Sequence, residues 1–178
     1  MATVTVYFDC SDSGPTDPNG VWTNDSNAFN GSTSNNATVS YADNGSTSSN
    51  YLFGAGTNAT DLGGIITLVR ARVYAAGEDL GGIVNATIFT DGLAENLGTC
   101  TRSGTTTPSY GSYTTLSTPS GDWSWTKVQA LEVKIFGTSM TNINDSLYAY
   151  VVELEVTYEF RSQITGISSM TGVSTITF

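Results

Sequence analysis

Carboxylates, aromatic rings and hydroxyls are the chemical means of this 178-residue sequence, which contains no His. That removes the imidazole base, the Ser-His-Asp and Cys-His arrangements, and every His-containing zinc or non-haem iron site. Glu153, Glu155 and Glu159 alternate along one segment, and paired carboxylates can act as acid and base. Carboxylates at every second residue also describe the wet side of a strand, where they deter edge-to-edge pairing, and this reading is preferred. Trp22, Trp123 and Trp125, with Tyr110 and Tyr113, could stack sugars as carbohydrate-binding modules do. Packing competes: a two-residue spacing puts Trp123 and Trp125 on one strand face, so Trp22 and at least one of that pair should be buried.

Asp9, Ser11, Ser13, Gly14 and Asp17 resemble an oxygen-rich cation loop. The closing position of an EF-hand would fall on Gly20 instead of Glu, so a plain Asx-rich turn is expected. Cys10 and Cys100 have no CxxC spacing and are expected as two separate thiols, with one long-range disulfide as the alternative. Asn-x-Ser/Thr sequons occur at Asn24, Asn30, Asn36, Asn44, Asn58, Asn85 and Asn144, and a chain with 21 Ser and 28 Thr produces several by composition alone. No catalytic residue, metal ligand or cofactor is assigned.

The elements that must position these residues follow from composition and alternation. Gly contributes 19 residues and Asn 13, and only 12% of the chain is charged. That is one domain of all-β character, unlike the Ala/Glu/Lys/Leu/Arg mixture of helical proteins. Thr3 to Phe8 alternates with Val4, Val6 and Phe8 on one face. Turn-rich sequence follows to Gly64, with short strands expected at Gly20 to Thr23, Ala37 to Tyr41 and Tyr51 to Ala55. Ile65 to Ala75 is a longer strand whose Ile65, Val69, Ala71 and Val73 face the core while Arg70, Arg72 and Tyr74 face out. Ile83 to Thr90 ends at Asp91-Gly92, a short-loop signal.

Gly98 to Pro119 reads as a long exposed excursion containing strands. Val128 to Phe136 is a strand with Leu131, Val133 and Ile135 inward and Glu132 and Lys134 outward. From Leu147 to Phe160 the even positions Tyr148, Tyr150, Val152, Leu154, Val156, Tyr158 and Phe160 are apolar or aromatic, which predicts one long strand. No helix is expected. The sum is an antiparallel β-sandwich or jelly roll over 1–160 with a C-terminal extension over 161–178, an arm to a neighbouring subunit or one more strand of the same sandwich.

The stretch Gly20-Val21-Trp22-Thr23-Asn24-Asp25-Ser26-Asn27-Ala28-Phe29-Asn30-Gly31 resembles the opening of a group of tailed-bacteriophage jelly-roll virion proteins. Gly64 to Val73 and Leu147 to Tyr158 fit later strands of the same template. Asp25 stands where that pattern commonly has Pro, and Asn30 where it commonly has Asp. The resemblance implies a virion structural protein with no active site.

The residues fit such a role independently. Six Lys and Arg against 16 Asp and Glu give a net charge of −10, which leaves no basic face for nucleic acid. No apolar run is long enough to span a membrane, and Met1 to Asp9 carries no signal-peptide pattern, so a soluble protein made in the host cytoplasm is expected. The expected function is that of a non-enzymatic capsid decoration protein, located on the virion. Its partners would be the major capsid protein or other virion subunits, and itself as a homo-oligomer, with a trimer favoured. The alternatives are a subunit of an extracellular filament built by strand addition and a carbohydrate-binding module of a tail fibre.

Overall fold

The computed structural model describes residues 1–18, 21–40, 50–78, 81–103, 105–139 and 146–160. Its strands are β1 (Ala2–Thr16), β2 (Trp22–Thr23), β3 (Ala37–Ser40), β4 (Leu52–Thr57), β5 (Ile65–Gly77), β6 (Ile83–Phe89), β7 (Asn96–Ser103), β8 (Ser109–Tyr110), β9 (Thr114–Thr115), β10 (Glu132–Thr138) and β11 (Ser146–Glu159). One short helix, α1 (Trp125–Gln129), precedes β10. Every strand pairing is antiparallel.

Two sheets share β1. In the front sheet β11 is central: β5 lies on one side, while β3 and the first half of β1 share the other. β2 extends the sheet beyond β3, and β8 and β9 pair with the outer edge of β5. The back sheet runs β1, β4, β10, β6, β7. β1 leaves the front sheet after Tyr7, which pairs with Glu153, and joins the back sheet at Phe8, which pairs with Thr57. The register shifts between Phe8 and Ser13, and Cys10 sits there at φ 54, the irregularity by which one strand bends from one sheet into the other.

The inner faces form one core. Val69, Ala71 and Val73 of β5 and Val152, Leu154 and Val156 of β11 lie in the same cluster as Ile88 of β6, Val133 and Ile135 of β10, and Leu131 just before β10. The all-β sandwich is therefore the fold, as the alternation predicts. Val6 and Phe8 are buried, and Arg70, Arg72 and Tyr74 lie on the outer face. The proposed extension over 161–178 lies outside the described residues.

Several expectations are corrected. Val128 belongs to α1 and not to a strand: Ser124 is an N-cap whose Oγ accepts from the Lys127 N–H at 3.2 Å. The excursion over Gly98 to Pro119 contains strands, as expected, but is not wholly exposed. β7 pairs with β6, and Cys100, Leu116 and Pro119 are buried. Ile65 is exposed and Ile66 takes its inward place, because the β5–β11 register shifts between Thr157 and Tyr158. A second shift in that pairing, between Ala149 and Val151, buries both Val151 and Val152 and turns Tyr148 and Tyr150 to the outer face with Glu153 and Glu155. A one-residue bulge reverses which side every residue beyond it faces.

Candidate functional site

The outer face of the front sheet carries a cross-linked network. Antiparallel pairing sets Arg72 opposite Glu153 and Arg70 opposite Glu155, so each cation meets a carboxylate. Arg72 Nε donates to Glu153 Oε2 at 2.9 Å and its Nη2 lies 2.8 Å from the same oxygen; Arg70 forms the second ion pair with Glu155. The Tyr110 hydroxyl donates to the other oxygen of Glu153. The Arg72 guanidinium lies 3.7 Å from the Tyr110 ring centroid and 4.5 Å from that of Tyr113. Tyr74 completes the group by edge contacts with Tyr110 at 4.7 Å and Tyr150 at 5.3 Å.

This network is spent on itself. Burial pushes the Tyr110 hydroxyl well above its ordinary range, and the bond to Glu153 adds to the shift. Burial opposes the charge of Arg72, but the hydrogen bond and the charge of Glu153 outweigh it, so the guanidinium is held more firmly protonated. The face therefore presents committed ion pairs and neutral phenols. Its evident work is mechanical: it clamps Tyr110 and Tyr113, and with them β8 and β9, onto β5.

The back sheet differs. Phe53 of β4 pairs directly with Lys134 of β10, and Phe89 of β6 with Glu132, so the four share one outer surface. Together with Thr16, Pro18, Tyr51 and Leu93, the residues Phe53, Phe89 and Lys134 line a hollow of about 270 Å³. The Lys134 ammonium lies 4.1 Å from the Tyr51 ring centroid and 5.8 Å from that of Phe136. The Leu93 wall is fixed from below: its backbone N–H donates to Glu132 Oε2 at 2.7 Å, and this holds Leu93 at φ 56, a conformation uncommon for a bulky residue. Glu132, expected in solvent, is buried beneath that turn.

A hollow of about 350 Å³ beside α1 is lined partly by Glu95, Ser120 and Lys127. There Lys127 Nζ donates to the carbonyls of Ser120 and Asp122 at 2.5 and 2.6 Å, and Glu95 accepts from the Ser120 N–H at 3.0 Å, so the charges of Lys127 and Glu95 are already engaged.

The residues singled out in the sequence are dispersed. Trp22, Trp123 and Trp125 are all buried, and the Trp125 indole N–H donates to the Gly63 carbonyl at 2.9 Å, which overturns a tryptophan platform for sugars. Tyr110 and Tyr113 do lie together, but against arginines. Glu153 and Glu155 are ion-paired and part-buried on a central strand, so they are neither freely solvated nor guards of an edge. Asp17 Oδ2 accepts from the Trp22 N–H at 2.6 Å, and Asp9 lies within β1. Among the described residues no group of three or more His, Cys, Asp or Glu could hold a metal ion.

Cys10 and Cys100 are separate thiols, each pushed up to about 12 chiefly by burial. Asn24, Asn30 and Asn58 are exposed, Asn85 is buried and donates to Thr138 at 3.0 Å, and Asn44 and Asn144 lie outside the described residues. Sequence reasoning passed over Tyr51, Phe53, Phe89 and Lys134. The available signal was Tyr51-Leu52-Phe53, which puts apolar side chains on both sides of an edge-to-edge paired strand and so places aromatic surface outside.

No family model matches the chain, and no curated protein does. Among solved structures, the chain is similar to the CBM36-1 domain of a multidomain xylanase from the hindgut metagenome of Trinervitermes trinervoides. That likeness has 10% identity and a TM-score of 0.43 and covers 86% of this chain and 96% of the other. A carbohydrate-binding module CBM36 in complex with calcium and xylotriose has 12% identity and a TM-score of 0.37 over 86% of this chain and 99% of its own. At these values neither likeness assigns a ligand to this chain. The expected capsid decoration role and virion assignment find no support: the two structures named are carbohydrate-binding modules and not phage capsid proteins.

Proposed function

We propose that this chain is a non-catalytic binding domain that takes a carbohydrate on the outer face of its back sheet. The observation that carries the reading is the hollow built by Tyr51, Phe53 and Phe89 on a sheet face that would ordinarily be polar. Flat aromatic faces suit the apolar faces of pyranose rings, and a mostly apolar lining with a few polar groups is the usual character of a ligand site. The Tyr51 hydroxyl, the Thr16 hydroxyl and the Lys134 ammonium supply the polar groups.

The non-catalytic part of the reading rests on the carboxylates. Glu153 and Glu155 are held by arginines, and Glu132 is held by the Leu93 N–H, so none of these three stands free to serve as acid or base. Affinity electrophoresis through gels cast with neutral and with acidic polysaccharides tests it. The expected result is retardation in at least one gel, abolished in Phe53→Ala and Phe89→Ala variants that keep the native circular dichroism spectrum. Unretarded migration in every gel would overturn the reading.

A further inference from the structure

We infer that the hollow selects sugars bearing a carboxylate, through Lys134; this rests on the carbohydrate-binding reading of the same hollow. The other basic side chains of the described residues are engaged. Arg70 and Arg72 are paired with Glu155 and Glu153, Arg102 donates to Ser109 and to the Ser103 carbonyl, and Lys127 donates to backbone carbonyls. Lys134 alone among them has aromatic rings, those of Tyr51 and Phe136, where the others have hydrogen-bond acceptors. Among the described residues no carboxylate is ion-paired with Lys134, which stands at the rim of an apolar hollow.

The register makes the cation useful. Lys134 is the direct cross-strand partner of Phe53, so a pyranose lying on the Phe53 ring has its substituents beside the ammonium. The nearest acidic residue on the same strand, Glu132, is turned to the Leu93 N–H and makes no ion pair with Lys134. A cationic ligand is disfavoured, because Lys134 already occupies the face of Tyr51. A ring carboxylate instead gains a charge-assisted hydrogen bond in a part-desolvated place, the arrangement in which such a bond is strong. The ligand class is therefore a hexuronic acid residue of a polysaccharide.

Polygalacturonate and its fully methyl-esterified form are the probes, since esterification removes the charge and leaves the sugar ring. The expected result is that the chain binds polygalacturonate about tenfold more tightly than the ester. Lys134→Met should remove the preference, so that the two probes bind alike, while Lys134→Arg should keep it. Equal binding of the two probes, or a preference that survives Lys134→Met, would overturn the selection by Lys134 and leave the carbohydrate reading intact. Failure to bind these probes and neutral polysaccharides alike would overturn both.

Discussion

Lys134 and Phe53 face each other across β10 and β4 as a directly paired couple on the outer surface of the back sheet. Cation and aromatic ring thereby stand side by side with their backbones hydrogen-bonded in a ladder, and no loop has to order for the pair to form. The front sheet uses the same devices to the opposite end. There Arg72 is stacked, ion-paired and roofed, and what results is a clamp.

The clamp has a measurable value. Arg72→Ala removes a half-buried guanidinium from Glu153, Tyr110 and Tyr113, and should lower unfolding free energy by about 1–3 kcal/mol. Arg70→Ala, at a more exposed pair, should change it by about 0–1 kcal/mol. Urea denaturation gives both values. Amide hydrogen exchange should rise more between Ser109 and Thr115 in the Arg72 variant than in the Arg70 variant, since Arg72 lies against both Tyr110 and Tyr113 and Arg70 against Tyr113 only. Equal, small effects of the two substitutions would contradict this division of roles.

Gly111 marks where that segment crosses the sandwich edge. Its N–H donates to the Val73 carbonyl at 2.9 Å, and a Cβ there would run into the backbone carbonyl group of Thr101, whose carbon would be 3.0 Å away. Since backbone cannot rotate aside, Gly111→Ala should destabilise by about 2–3 kcal/mol. Gly14→Ala meets nothing within 4 Å and should stay within about 0.5 kcal/mol of the parent. Thermal or urea unfolding of the two variants makes the comparison, and similar losses in both would contradict the crossing described.

Alkaline pH tests the phenols. Tyr110, Tyr113, Tyr148 and Tyr150 all have hydroxyls raised above the ordinary value of 10.0, chiefly by burial. Above pH 10 the unfolded chain loses these protons while the folded chain keeps them, so the folded state binds more protons. The stability they contribute is therefore complete below pH 10 and is lost as pH rises through the folded values. Unfolding free energy should fall between pH 10 and 11.5, and phenolate absorbance should lag behind that of the denatured chain. A flat stability profile over that range would contradict the burial assigned to these rings.

The sandwich was legible because burial on one face forces period-two alternation: Val4, Val6 and Phe8, or Leu131, Val133 and Ile135, needed no partner to be recognised. The breaks in that period were not. Tyr148 and Tyr150 follow the inward parity of Val152 and Leu154, and only the bulge in the β5–β11 register turns them outward. Trp125 sits two residues from Trp123, a strand-like spacing, yet the Ser124 cap starts a helix there. The hollow was hidden for a different reason. Phe53, Phe89 and Lys134 come from three strands, and only the cross-strand register, a property of pairing and not of any one segment, sets them together.

Backbone amide chemical-shift mapping during titration with oligogalacturonate tests binding at the hollow most directly. The predicted result is saturable perturbation confined to Thr16, Tyr51, Phe53, Phe89, Leu93 and Lys134, with the amides of Arg72, Tyr74, Tyr110 and Tyr150 unmoved. Perturbation centred on the front sheet, or none at all with either acidic or neutral oligosaccharides, would contradict it.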